Sequence, residues 1–340
     1  MAATLNPGQL RRDSSVPRKI KAVLARSDRA FLSLLFAGGL AVLALTVGIG
    51  LFLGTHAYKA LSVAKLQFLT TKIWQPDIHR FGIAAILTGT VLIAVVALVM
   101  SFPLALGTAL FISEIAPQRL KRMMVFVVDL LAAVPSVIYG IFGLEFLQGH
   151  VVGVSHWMAR WLAWIPIFHV PGAQPDNPNV GNSPYGASTF IAGIVVAIMM
   201  LPIQSSIMRE AFSQAPAGER EGAYALGATR WGMIRSVVLP FGRGGIIGGT
   251  ILGLGRALGE TIAVLLIISQ INENRINWHI LGSGGNSIAA LIASHYSEAS
   301  GFGLSALMAA GLSLFVLTMA VNFTASAIIA RSRSGAMSEV

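Results

Sequence analysis

The chain has 340 residues, 55% of them hydrophobic and only 11% charged, where a soluble domain carries about 25% charged residues. With a mean hydropathy of +0.73 it reads as an integral membrane protein. Its net charge of +10 sits between the apolar runs, as membrane topology requires, which argues against nucleic acid as a partner. The absence of cysteine excludes disulfides, thiol chemistry and cysteine-held metals.

Six apolar runs reach the roughly 20 residues a helix needs to cross a bilayer. They lie at about 30–55, 83–112, 123–148, 188–208, 244–269 and 304–330. The expected fold is therefore all-α and integral to the membrane, with lipid as its solvent. A basic tail, 1–29, precedes the spans and a short tail, 331–340, follows them. The first run is longer than the roughly 7–15 residues of a signal-peptide core, so it is read as an uncleaved span. Seventeen of the 24 Lys and Arg fall in the two tails and in the connections 113–122 and 209–243, six fall in the other connections, and the last is Arg256. Both termini are expected in the cytoplasm, with loops 56–82, 149–187 and 270–303 outside.

In chain order, the first outer loop carries Trp74-x-Pro76. The second run contains Pro103, which predicts a kink or a helix that outlasts the membrane; it holds FPLALGTALFISEIAP, 102–117. The third holds DLLAAVPSVIYG, 129–140. Asp129 there is either a solvated, helix-capping acid or the partner of an arginine in another subunit. Ser136 and Tyr139, beside Pro135, either offer hydroxyls to cargo or satisfy backbone groups freed by the proline. In the outer loop, Trp157, Trp161 and Trp164 share one helical face, which predicts an interfacial helix on the outer surface. The following VPGAQPDNPNVGNSPYG is expected to be irregular.

Signatures of catalysis and metal binding are missing. None of the lysines follows a glycine, so there is no GxxxxGK[ST] phosphate loop, and there is no HExxH. His150, His156 and His169 fit no common metal spacing. NFT at 322–324 falls inside a predicted span. No metal and no cofactor is expected on this chain, and no enzymatic activity.

Two segments remain. EREGAYALGATRWGMIRSVVLP, 219–240, predicts a helix opened by Pro216 and closed by Gly227, then a second helical run from Trp231 to Pro240. Such an elbow either docks into a partner's groove or merely connects two spans. In the fifth run, Gly245, Gly249 and Gly253 recur every fourth residue, a pattern for close helix packing. Arg256 and Glu260 follow at +3 and +4, and on an unbroken helix all five lie within about 80° of circumference. The charged residues are then expected on the packing face, able to pair at i, i+4. That pair either locks two helices together or makes an anion site, with Glu260 orienting Arg256 or gating the path.

The elbow resembles the EAA loop of ABC-importer membrane subunits. It reads Glu221-Gly222-Ala223, three residues, Gly227, nine residues, then Val237-Val238-Leu239-Pro240. The departures are Gly222 for alanine and Val237 for isoleucine. GRALGET at 255–261 resembles the signature of the phosphate-specific (Pst) permeases. Trp74-x-Pro76, FPLALGTALFISEIAP and DLLAAVPSVIYG are similar to the C-type, PstC-like members; that choice over the A-type rests on the N-terminal third. The resemblance covers about 30–330.

It implies a type I ABC importer permease fold, with its transmembrane core at about 83–330, and import of inorganic phosphate. Glu221, Gly222, Ala223, Gly227, Leu239 and Pro240 would couple to the ATPase. Arg256, Glu260 and Thr261 would line the substrate path, with Ser136, Tyr139 and Asp129 as weaker candidates. The implied partners are a PstA-like second permease forming a heterodimer, two PstB-like ATPase subunits that hold the ATP and Mg, and an extracytoplasmic PstS-like binding protein. Two alternatives stay open: a permease for another oxyanion, sulfate or molybdate, and a self-sufficient secondary anion transporter.

Overall fold

The computed structural model describes residues 26–171, 183–268, 275–299 and 301–333. Most of the expected tails, the central part of the turn-rich 170–186 and part of the loop 270–303 lie outside the described residues. By length and composition, five of the described helices suffice to cross a membrane, and one bent helix pair makes a sixth.

The chain divides into two units between Leu51 and Phe52. The first contains the leading part of helix α1, Arg26–Ala64. Phe31, Leu34, Phe36, Leu40 and Leu45 are all exposed there, with apolar residues all round, as suits a helix whose solvent is lipid.

The second unit opens with the last turns of α1, where Ala57 and Ala60 are buried in a cluster with Phe68 and Trp74. A small hairpin pairs β1 (Trp74–Gln75) with β2 (Arg80–Phe81). The Trp74 and Phe81 rings meet edge to face at 6.2 Å. Helix α2 (Ala84–Leu110) passes Pro103 without a break and runs on through a π turn, Phe111–Ile115, to make one rod of 32 residues.

The third span is shifted from its predicted place. Helix α3 (Gln118–Ala133) ends at Val134 and Pro135, both extended. The chain restarts as α4 (Ser136–Phe142), a π turn (Gly143–Leu147) and α5 (Gln148–Trp161). The stretch long and apolar enough to cross a membrane is Ser136–Trp161, so the expected span 123–148 straddles a break. Pro135 has no N–H to extend the ladder and disfavours helical backbone at Val134. Arg119, Lys121, Arg122 and Asp129 make α3 amphipathic instead. The tryptophans move with the correction. Trp157 and Trp161 lie on the last turns of the span and Trp164 on the turn after it, all exposed. They stand at one end of a helix long and apolar enough to cross a membrane, where tryptophan favours the interface, and not on a separate helix.

Helix α6 (Thr189–Ser213) is capped by Ser188, whose Oγ accepts from the Ile191 N–H at 3.3 Å. It is largely buried. At Gly193 a Cβ would lie 2.7 Å from Val96 Cβ, so glycine is what lets α2 and α6 touch. The elbow follows as α7 (Ala217–Ala225) and α8 (Arg230–Met233), then a π turn (Ile234–Val238) and a short turn of helix to Phe241. Helix α9 (Arg243–Gly259) leaves it at 66°. The predicted run 244–269 is two helices, because α10 (Ile262–Ile267) starts only after a break. Helix α11 (Ile288–His295) and the long α12 (Gly301–Arg333) complete the chain.

The central core joins α2, α4, α6 and α10 through Ile93, Ala97, Tyr139, Val195, Met199 and Ala263. A cluster at one end of α2 and α6 holds the elbow, through Ala109, Met208, Phe212, Met233 and Val238.

Candidate functional site

The GRALGET stretch is where the fifth span breaks. Helix α9 stops at Gly259, Glu260 is extended (φ −68°, ψ 124°) and Thr261 precedes α10. Glu260 is only 8% exposed, and its Oε1 accepts from the Ala263 N–H at 3.3 Å. It caps the short α10, where a carboxylate meets unpaired backbone donors. The Thr261 hydroxyl donates to the Gly259 carbonyl at 3.2 Å.

Arg256 lies on the last turn of α9, exposed. Glu260 places its carboxylate on the Ala263 backbone donor, and no ion pair joins it to Arg256. The expected i, i+4 pair presumed an unbroken helix. Ending α9 at Gly259 turns Glu260 off the face that Arg256 occupies, and the Ala263 N–H takes one of its oxygens. The expectation that both charges share the glycine face is corrected for Glu260 alone, since Arg256 lies in the unbroken part of α9 with the glycines.

The glycines themselves pack. Gly245 faces Ala211, where any side chain would collide with that methyl. A Cβ at Gly249 would lie 3.1 Å from the Gln204 carbonyl oxygen, and one at Gly253 would lie 2.6 Å from Gln204 Nε2. All three contacts are with α6, so this face of α9 has no room for side chains. Gln204 is wholly buried, and neither polar atom of its side chain has a hydrogen-bond partner.

The residues around Pro135 meet this break. Tyr139 is buried in the same cluster as Ala257 of α9 and Ala263 of α10. One residue on, a Cβ at Gly140 would fall 2.9 Å from the Ala263 Cα, so α4 and α10 cross with backbones nearly touching. The Tyr139 hydroxyl donates to the Leu131 carbonyl at 2.8 Å. That carbonyl lies four residues before Pro135, which has no N–H to offer it. Of the two roles open to this hydroxyl, the backbone one is occupied. Ser136, half-buried, begins α4, and Asp129 is exposed on α3.

The elbow closes as its sequence suggests. Gly227 has φ +82°. Its N–H bonds the Tyr224 carbonyl at 2.9 Å, and the Ala228 N–H reaches back to Ala223 at 3.0 Å, the double bond of a Schellman stop. Thr229 then caps α8 through the Gly232 N–H at 3.1 Å. Ala223 and Leu239 lean on the cluster beneath, whereas Glu221, Gly222, Gly227 and Pro240 are exposed. Leu226 is 91% exposed and Tyr224 and Trp231 are exposed beside it.

Sequence reasoning missed the contact that fastens the elbow. Arg220 Nη1 lies 3.0 Å from Glu114 Oε2, and its Nη2 donates to the Phe212 carbonyl at 2.6 Å. The pair is separated by 106 residues, beyond any helical spacing rule. Its signal was a lone acid, Glu114, inside the apolar FISEI.

Comparison with known proteins gives the geometry a context. The model of the family described as binding-protein-dependent transport system inner membrane component matches residues 101–334. The phosphate transport system permease protein PstC of Mesorhizobium japonicum is 37% identical, over 96% of this chain and 96% of its own length. PstC 2 of Mycobacterium tuberculosis is 38% identical over 89% of this chain and 92% of its own. Among solved structures, a bacterial ABC transporter involved in the import of the acidic polysaccharide alginate superimposes with a TM-score of 0.55 at 18% identity, covering 90% of this chain and 98% of that one. At that identity the likeness concerns the fold.

Proposed function

The chain belongs to the family of binding-protein-dependent transport system inner membrane components, and from that premise we propose that the cargo it passes is inorganic phosphate. Members are permease subunits of ABC importers, transport proteins that leave ATP hydrolysis to a partner chain. The specific assembly we infer is a heterodimer with a PstA-like permease, two PstB-like ATPases carrying ATP and Mg, and a PstS-like binding protein delivering phosphate from outside. Both termini lie in the cytoplasm, as the distribution of Lys and Arg favours.

The observation that carries this reading is the break at GRALGET with Arg256 left unpaired beside it. Interrupted spanning helices are where transporters build binding sites, because irregular backbone is tolerated where it lines a cavity. An exposed arginine within a spanning helix is costly unless it faces a partner or an aqueous path. Its planar donor fork matches the oxygens of phosphate. Glu260 supports this by what it does instead: held on the Ala263 N–H, it does not neutralise Arg256. The PstC relatives favour phosphate over sulfate or molybdate.

In the cycle we infer, closure of the ATPase pair displaces the elbow. The fifth span moves with it and exposes Arg256 to one side of the membrane and then the other. Only contacts that differ between the two states drive such a change. The test is uptake of labelled phosphate by the reconstituted importer, with sulfate and molybdate as competitors. ATP-dependent uptake that excess phosphate suppresses and the other two do not is the expected result. Equal competition by sulfate would transfer the assignment to another oxyanion, and flux through this chain alone without ATP would point to a secondary transporter.

A further inference from the structure

Arg220 stands on α7 and touches the ends of two spanning helices at once. Its Nη1 meets Glu114 in the π turn that finishes the second span. Its Nη2 meets the Phe212 carbonyl in the last turn of α6, the fourth span. Carbonyls at a helix C-terminus lack intrahelical partners, and a cation is favoured there. The Glu114 side chain is 3% exposed. One planar fork therefore fastens three elements at a buried point.

As a device for static stability the arrangement is poor. Glu114 Oε1 and Arg220 Nε are buried without hydrogen-bond partners. A buried ion pair offsets its desolvation only when the remaining polar atoms are satisfied; atoms left over count against it. An apolar pair of similar volume would pack at least as well. Its attraction would be non-directional, so its surfaces could slide past one another under load. The charge-assisted fork holds a fixed direction and register. The π turn that presents Glu114 is itself an irregularity of the kind that recurs at functional sites.

We propose that Glu114 and Arg220 form the link through which the elbow helix pulls the second and fourth spans. The proposal rests on the elbow's reading as the coupling element. Displacement of α7 draws on Glu114 and Phe212 together. Because α2 and α6 touch through Gly193, they move as one. Helix α9, packed on α6 through its glycines, follows and carries Arg256. Glu114 and Arg220 are positioning residues, and neither touches cargo.

The test uses the whole importer in proteoliposomes: this chain, its second permease, the ATPase pair and the binding protein. Phosphate uptake and ATP hydrolysis are measured on the same vesicles. Glu114→Gln and Arg220→Gln are each expected to assemble and keep basal hydrolysis while phosphate moved per ATP falls roughly fivefold or more. The double variant is expected to be no worse than either single one, since all three remove the same link. Arg220→Lys keeps a charge opposite Glu114 but lacks the fork that reaches both acceptors. It is expected to lose coupling as well, and it carries the test if the glutamine variants do not assemble. An unchanged ratio of phosphate to ATP in assembled variants would overturn the proposal, as would losses that add in the double variant. Failure of every variant to assemble, lysine included, would overturn it too, by making the pair a folding anchor. Failure of the underlying reading looks different: Leu226→Glu would then leave the ATPase bound and coupled.

Discussion

The two ends of the fifth span obey different rules. From Gly245 to Gly253 the helix is a surface for another helix, with every fourth side chain removed so that α6 can approach. From Arg256 to Thr261 the same span ends its hydrogen-bond ladder, leaves an arginine exposed and uses a carboxylate to cap α10. The first part holds position, and in the function we propose the second presents chemistry. Substitutions in the first should act on assembly, and those in the second on transport by an assembled complex.

The largest effect is expected from Gly253→Leu. Even a Cβ would come within 2.6 Å of Gln204 Nε2, and overpacking of this kind costs about 1–3 kcal/mol or more. The expected outcome is loss of the folded, assembled permease, read by size-exclusion chromatography of the solubilised complex; normal assembly and uptake would break the comparison. Arg256→Gln comes next. Losing a charge-assisted contact of about 1.5–3 kcal/mol should lower phosphate uptake at least roughly tenfold at an unchanged melting temperature. If the complex instead falls apart, Arg256 is a helix lock and the two halves of the span do the same job.

Smaller effects sharpen the boundary. Tyr139→Phe removes the bond to the Leu131 carbonyl, worth about 0.5–1.5 kcal/mol, so thermal stability should drop slightly with KM for phosphate unmoved; a raised KM would bring the hydroxyl into the path. Glu260→Gln keeps an oxygen for the Ala263 N–H and loses only its charge at the start of α10, about 0.3–1 kcal/mol. Uptake should change by no more than a few-fold, whereas abolished uptake would make Glu260 a gate in spite of its cap.

What was legible in the sequence was mostly local. The glycine spacing on α9 and the Gly227 stop of the elbow depend on backbone geometry within a few residues, and both appear in the structure where the spacing put them. The break at Glu260 carried no such mark. No proline stands there, and the helical pattern runs through it; the close crossing of α10 on α4, at Gly140 and Ala263, is a tertiary contact that no local pattern announces. At Pro135 the mark was visible, but hydropathy weighed the apolar residues before it as heavily as those after it, and the span was drawn across the break. Of the Arg220–Glu114 contact only the lone acid in FISEI was visible, and its partner was not, because the two stand far apart in the chain.

Leu226 has a consequence beyond geometry. A leucine held 91% exposed on the tip of the elbow is a hydrophobic knob, and covering such a side chain contributes roughly 1.5–3 kcal/mol. That part of the docking energy is indifferent to ionic strength, unlike any contribution from the charged Glu219, Glu221 and Arg230 around it, which salt screens. In the coupling we propose, the elbow's grip on the ATPase should accordingly weaken with added salt only to a floor, set by Leu226 with the exposed Tyr224 and Trp231 beside it.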